Sequence, residues 1–392
     1  MPRTELNPFA PEHRDNPYPI YAELRDLGPL VYLEKLGFWV ATTAASVQEV
    51  LTNADRFSSA KGIGRARNEV IQRPTMLTRD PPEHTRLRAL VSRAFTPRRI
   101  AELEPRITQI VNERLDVGLE QGEIDVVKSL ARPLPTLVLA DLLGVEYELI
   151  PNLMRWSDDI FRSVAGLGKA EERERARQSY VEFDAYFGAQ IEERRKRPQE
   201  DLLGMLVMAH DDHAALSTVE ILSFCMLLFI AGTETTTNLL ANALLALMEN
   251  PDVADSLRKS PESVGEIIEE TLRYDAPVQG IFRTTRADFE AFGEHLDVDQ
   301  KVCALIASAN RDPAGRTNPD RFDPKRSSSN HIAFGYGAHY CLGASLARLE
   351  ARLALTQIFQ KTRAIFPMDA PKRLDMPMVR GLASYQLRLE PA

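Results

Sequence analysis

Phe334-Gly335-Tyr336-Gly337-Ala338-His339-Tyr340-Cys341-Leu342-Gly343 is the stretch on which the reading of this chain turns. Gly335 and Gly337 permit a tight loop whose backbone amides point inward. Apolar residues at Leu342, Ala344, Leu346, Ala347, Leu349, Leu353 and Leu355 then follow a helical period, so a helix starts directly after the loop. Cys341 therefore stands at a helix N-terminus, beside free amide donors and the positive end of the helix dipole. Both favour a thiolate over a thiol. A thiolate so placed is either a nucleophile or a metal ligand. The other two cysteines, Cys225 and Cys303, lie in apolar runs and read as small core residues.

Upstream, Ser217-Thr218-Val219-Glu220 is a capping box that opens a helix running to Glu249, just before Asn250-Pro251. At about 1.5 Å per residue that helix is nearly 50 Å long. Its first half is apolar on almost every face, which sends it through the interior. Its middle, Ala231-Gly232-Thr233-Glu234-Thr235-Thr236-Thr237, combines a glycine, four threonines and a carboxylate, poor choices for a buried helix centre. The segment predicts a local distortion or a functional groove; the plainer reading is a solvated polar stripe.

The rest of the chain is mainly α with a minor β portion, strand-like at 30–33 and 38–42 and again within 280–306, for example at 302–306. It reads as one large domain over residues 1–392, with 1–15 as a loosely ordered arm. A polar stretch from Lys61 to Arg79 reads as a loop. Asp80-Pro81-Pro82-Glu83 then carries helix-start signals, with Asp80 as the cap. The 392 residues bear a net charge of −8, which argues against nucleic acid as a partner. Three scattered cysteines make neither a disulfide framework nor a zinc site and fit a reducing compartment. The N-terminus lacks a signal core, and the longest apolar run, Ile221 to Ala231, is too short to span a bilayer. A cytoplasmic protein without a membrane span is expected.

Residues 334–343 resemble the haem-binding loop of the cytochrome P450 superfamily, FxxGxxxCxG, here with Phe334, Gly337, Cys341 and Gly343 and with His339 two before the cysteine. The resemblance runs from about residue 16 to the end. It implies one P450-like domain, with a long central helix over haem b and the cysteine loop below it. Cys341 would be the axial thiolate of the iron, donating electron density that favours O–O cleavage. His84 and Arg88, spaced i, i+4 on one helix face, would meet the haem propionates together with Arg283 and His339. Glu270 and Arg273 match the family's Glu-x-x-Arg. This spacing recurs at 83/86, 172/175, 174/177 and 192/195, but only 270/273 lies between the long helix and the cysteine loop. Pro319-Asp320-Arg321-Phe322 resembles the element that adds a second arginine, Arg321, to that structural ion network.

The mid-helix segment resembles the family's oxygen-activation motif. Ala231 and Gly232 would leave room for dioxygen over the iron, Thr235 would hydrogen-bond the oxygen species held there, and Glu234 would relay protons. Position relative to these residues makes Leu227, Ile230, Ala231, Val278 and Ile281 substrate-facing, with Leu382 and the loop 61–75 completing an apolar pocket. That lining implies a hydrophobic small-molecule substrate; the loop's Lys61, Arg65, Arg67 and Arg73 leave an anionic one open. No Rossmann fingerprint or four-cysteine cluster is present, so electrons would come from a separate ferredoxin with its NAD(P)H-dependent reductase. Arg86, Arg93, Arg98 and Arg99 would form its docking patch. The function expected is a haem-thiolate monooxygenase that hydroxylates, epoxidises or O-dealkylates its substrate. The rivals are a peroxide-driven peroxygenase, whose members usually lack the acid–Thr pair, and a non-catalytic haem-thiolate sensing protein.

Overall fold

The computed structural model describes residues 2–65, 73–93, 95–164, 170–209, 215–326 and 330–392. The first part of the chain forms α1 (Tyr18–Leu27), α2 (Ala44–Thr52), α3 (Glu83–Ser92), α4 (Pro97–Ala101) and α5 (Glu104–Gln121). The middle forms α6 (Pro133–Leu143), α7 (Ile150–Val164), α8 (Ala170–Lys196), α9 (Leu202–Met208) and α10 (Thr218–Glu249). Then come α11 (Pro251–Lys259), α12 (Val264–Tyr274), α13 (Ile306–Asn310) and α14 (Ala344–Lys361).

The strands are β1 (Arg3–Thr4), β2 (Leu30–Leu33), β3 (Phe38–Ala41), β4 (Phe57–Ser58), β5 (Glu123–Asp125), β6 (Ile281–Thr285), β7 (Phe289–Ala291), β8 (Glu294–Leu296) and β9 (Lys301–Ala304), followed by β10 (Thr362–Pro367), β11 (Lys372–Arg373), β12 (Leu382–Ser384) and β13 (Gln386–Pro391). The largest sheet has the order β1-β2-β3-β9-β6-β4. Its β6–β9 pairing places Arg283 opposite Val302, which fixes the register of the one cation on that strand. Apolar residues pack on both faces of this sheet, with Trp39, Val302 and Ala304 on one side and Val40, Phe282 and Cys303 on the other.

The N-terminal residues are a correction to the expected loose arm. Arg3 and Thr4 pair in parallel with Tyr32 and Leu33, and the Tyr32 amide donates to Pro2 O (3.0 Å) and the Glu34 amide to Thr4 O (2.9 Å). Asp80 is another. Helix α3 starts at Glu83 with Pro82 before it, and Asp80 does not cap it. Its carboxylate accepts instead from the Ser58 hydroxyl (2.5 Å), the Ser59 amide (2.8 Å) and Arg286 (2.5 Å), tying β4 to the start of α3.

Helix α10 is the axle of the molecule. The Ser217–Glu220 capping box is formed in both directions: the Ser217 hydroxyl accepts from the Glu220 amide (3.2 Å) and Glu220 accepts from the Ser217 amide (2.8 Å). By length and composition α10 could cross a bilayer. It runs instead among α6, α7, α8, α12 and α14. Its first half packs with α8 and α9 residues such as Phe183, Phe187 and Leu203. Its second half packs with α12 and α14 residues such as Ile268, Leu349 and Leu355.

Candidate active site

Between those two buried halves, α10 opens. Ala231 is exposed, and Gly232, Glu234 and Thr235 are half-buried, whereas Ile221–Met226 and Thr236–Leu247 are buried. The expected distortion is absent: the helix is continuous through 231–237. The threonine hydroxyls find their acceptors within the helix, one turn back. Thr233 donates to Phe229 O (2.6 Å), Thr235 to Ala231 O (2.6 Å) and Thr237 to Thr233 O (2.8 Å). With its proton committed to Ala231, the Thr235 hydroxyl presents lone pairs to the opening.

Glu234 lies beside it. Burial raises its carboxyl above the ordinary carboxylate value, while Arg132, the Asn238 amide (3.3 Å) and Arg162 pull it back. A carboxyl balanced in this way can carry a proton.

The cysteine loop precedes α14, which packs on α10. Gly335 and Gly337 adopt φ of +73° and +70°, the left-handed conformation that glycine allows without strain. The amides expected to point inward close the loop on itself: Gly335 N–H donates to Ile332 O (2.9 Å), Tyr340 N–H to Gly337 O (3.1 Å) and Cys341 N–H to Phe334 O (2.9 Å). Helix α14 begins three residues after Cys341. Burial pushes the Cys341 thiol up, and the Gly343 amide with the Arg88 and Arg348 charges lowers it. Desolvation thus outweighs the helix terminus that was expected to favour a thiolate. A bound cation would favour the thiolate at this position.

A cluster of cations and rings lies along the edge. His84 is buried at 1% exposure, and neither ring nitrogen has a hydrogen-bond partner. Its ring centroid is 4.1 Å from that of His339, whose Nε2 lies 3.3 Å from the Ser59 hydroxyl. Burial, then Arg283, His84 and Arg88, push the His339 imidazole down to about 3. Arg283 is 2% exposed, donates to the neighbouring Phe282 carbonyl (2.9 Å), and is lowered by burial to about 10. The acid acting on it is Asp80, already committed to Ser58, Ser59 and Arg286.

Below, the ion network is intact in an altered form. Glu270 and Arg273 are buried and joined by two hydrogen bonds (2.7 and 2.8 Å). The second arginine is Arg326, whose Nε reaches Glu270 at 3.0 and 3.1 Å. Arg321 is corrected: its side chain is exposed, and it contributes only its carbonyl, which accepts from Arg273 (3.0 Å) and Arg326 (2.9 Å). The Asn310 side chain accepts from the Ile332 amide (2.8 Å) and donates to Leu272 O (3.3 Å), so it anchors the start of the cysteine loop.

Of the expected substrate contacts, Ala231 is exposed and Leu227, Val278 and Ile281 are half-buried, the last two packing against the large sheet's core. Ile230 is buried at 8% and packs into the α8–α10 cluster. Leu382 is a correction: at 1% exposure on β12 it belongs to the core. The loop cations are largely engaged, Lys61 with Asp299, Arg65 with Leu36 O (3.1 Å), and Arg73 with Asp184 through two bonds of 2.8 and 2.6 Å. Arg67 lies outside the described residues.

The Cytochrome P450 family model matches residues 13–389. The chain belongs to the cytochrome P450 family. This P450 is 37% identical to Cytochrome P450 109 of Bacillus spizizenii, over 99% of this chain and 95% of that protein. The solved structure of CYP109Q5 from Chondromyces apiculatus superimposes with a TM-score of 0.91 at 36% identity, covering 99% of this chain and 98% of the other. CYP109E1 from Bacillus megaterium in complex with testosterone gives 0.87 at 34% identity, over 95% and 99%. The expected fold and family hold: this P450 is a haem-thiolate monooxygenase whose cofactor is haem b with a cysteine axial ligand.

The residues present fit that cofactor. Partnerless His84, acid-poor Arg283, Arg88 and His339 form an excess of donors and positive charge at one edge. Burying such charge is costly unless anions meet it. Two propionates supply that charge. Cys341, the one half-buried cysteine of the three, would supply the sulfur ligand.

Proposed function

We propose that this P450 is a cytoplasmic hydroxylase of uncharged hydrophobic small molecules, fed with electrons by a separate ferredoxin and its NAD(P)H-dependent reductase. The observation that carries the reading is the opening on α10, where Ala231 is exposed and Thr235 and Glu234 flank it within an otherwise buried helix. When bound, haem b supplies dioxygen activation, with epoxidation and O-dealkylation drawing on the same chemistry. Cys341 would hold the iron, with Phe334 and Gly343 shaping the loop. His84, Arg88, Arg283 and His339 would hold the propionates. Exposed Ala231 would leave space above the group, whereas Gly232 lets Leu139 of α6 pack close against α10.

Thr235 accepts a hydrogen bond at its Oγ1, because its own proton is held by Ala231 O. Glu234 holds a proton at its carboxyl and passes it inward, with Asn238 orienting Oε1. This acid–hydroxyl pair favours dioxygen over peroxide as the oxidant and turnover over sensing. Leu227, Ile230, Ala231, Val278 and Ile281 would exclude water around the substrate. Because Lys61, Arg65 and Arg73 already have partners, the lining favours neutral ligands. The testosterone held by the Bacillus megaterium relative puts steroids beside terpenes, fatty acids and macrolides as the classes to test.

For the ferredoxin, α4 packs on α14, the helix that follows Cys341, and carries Arg98 and Arg99 on its exposed side. Arg86 pairs with Glu220 at the start of α10 and is less suited to docking.

The test is titration of the ferric protein against that panel, read by the low-to-high-spin absorbance change. Then comes product analysis with a ferredoxin system. A spin shift with one neutral class, and product matched to NAD(P)H consumed, is expected. Turnover with peroxide alone, or binding without turnover, would overturn the reading. Cys341→Ser is expected to abolish the thiolate carbon monoxide band, and an unchanged band would remove Cys341 as the ligand.

A further inference from the structure

The surface beneath the cysteine loop holds a cluster that the oxygen chemistry above leaves unused. Arg348, in the second turn of α14, reaches back toward the loop, as helical side chains do. Its Nε and Nη2 meet both oxygens of Glu269 on α12, at 2.6 and 2.8 Å. Its Nη1 donates to the Tyr340 hydroxyl (3.4 Å), and its Cζ sits 4.5 Å from the centroid of the Phe334 ring. Glu269 also meets His331 Nε2 (3.1 Å), and His331 Nδ1 accepts from the Ala333 amide (3.2 Å).

Of the backbone hydrogen bonds that close the loop, the one made by the cysteine itself runs from Cys341 N–H to Phe334 O. Arg348 touches Phe334, which holds the acceptor, and Tyr340, which precedes the donor. Glu269 binds Arg348 from outside and, through His331, the residue before Phe334. One guanidinium–carboxylate pair thus braces both flanks of the hydrogen bond that orients Cys341.

We propose that Arg348, held by Glu269, is a positioning residue that fixes the Cys341 loop, so that the sulfur stays ligated to the iron and keeps its donor strength. The pair is well suited to this. A bidentate fork constrains geometry as well as distance, and the planar guanidinium can stack on an aromatic ring while it does so. A lone exposed ion pair would do little, but this one is networked to a ring, a phenol and an imidazole. Lysine could supply the charge without the fork or the stack. The inference rests on the assignment of Cys341 as the ligand.

The experiment uses the haem-loaded full chain, with Arg348→Met, Arg348→Lys and Glu269→Gln. Arg352→Met is the control, because Arg352 lies one turn further along α14 and pairs with Glu104 (3.1 Å) away from the loop. The ferrous carbon monoxide complex is followed over time for conversion from the thiolate band to the shorter-wavelength form, alongside the haem reduction potential and the melting temperature. Arg348→Met and Glu269→Gln are expected to convert about tenfold faster than wild type and to shift the potential. Arg348→Lys should recover less than half of the loss, and Arg352→Met should match wild type.

Conversion rates and potentials that stay at the wild-type value in both Arg348→Met and Glu269→Gln would overturn the proposal. So would an Arg352→Met variant that loses the band as fast as they do. A wild-type protein without any thiolate band would instead sink the Cys341 assignment itself, so the two failures are distinguishable.

Discussion

Two residues show how local surroundings decide chemistry. Thr235 spends its proton on Ala231 O and faces the opening as an acceptor. Thr235→Ala is expected to retain haem and the substrate-induced spin shift while product formation falls about 10²-fold, the oxygen consumed appearing as hydrogen peroxide. Coupled product and NAD(P)H measurements check this, and full coupling would remove Thr235 from the reaction. Glu350 on α14 is the opposite case, a carboxyl without a task in that reaction. It is 2% exposed, its Oε2 has no partner, and burial raises it to about 8. A carboxyl raised on folding stays protonated in the native state while the unfolded chain ionises. It therefore carries no penalty below its ordinary value, and stability falls as pH rises from there to about 8. The slope is about 1.4 kcal/mol per pH unit. Glu350→Gln should therefore match wild type in melting temperature at pH 5 and exceed it increasingly toward pH 8. Parallel melting curves across that range would show that Glu350 is ionised in the folded protein.

At the scale of elements, the network joining α12 to the chain below it separates two arginines that sequence spacing alone confuses. Arg326→Leu breaks a buried pair with Glu270 and is expected to cost about 3–5 kcal/mol and to lower haem retention. Arg321→Ala removes an exposed side chain while leaving its carbonyl in place, and should stay within about 0.5 kcal/mol of wild type. Denaturation with haem absorbance as the readout distinguishes them; equal losses would contradict the geometry. The contrast shows what was legible. Helix α10 could be read to its ends because a capping box and an asparagine–proline stop are local signals. The continuity of α10 through 231–237 was not legible, because threonine hydroxyls that bond back to the helix leave no mark distinct from threonines that disrupt it. Cys341, Glu270 and Arg273 could be found from their resemblance to family motifs and the order of those motifs along the chain. Arg326 and the Glu269–Arg348 pair could not, since each acts across tens of residues through contacts that only the folded chain creates. Leu382 failed for a related reason: an apolar residue near a site looks the same in sequence whether it lines the opening or fills the core beside it.

For the whole molecule, a net charge of −8 coexists with a cationic segment on the side of the cysteine helix. Arg98 is 90% exposed, and its ion pair with Glu102 is a single long contact of 3.3 Å. Such pairs contribute little to stability, so Arg98→Glu with Arg99→Glu should leave the melting temperature nearly unchanged. Under the proposed electron route, the same change should slow reduction by an acidic ferredoxin about tenfold at low salt and flatten its salt dependence. Stopped-flow reduction across ionic strengths checks this, and wild-type rates would place docking elsewhere. The strand formed by Arg3 and Thr4 bears on behaviour in concentrated solution. By engaging Tyr32 and Glu34, these first residues act as a selvedge that keeps the long apolar sheet from unravelling into contact with its neighbours. Trimmed of them, β2 would offer bare amides beside buried Leu30, Val31 and Leu33, a template for copy-to-copy stacking.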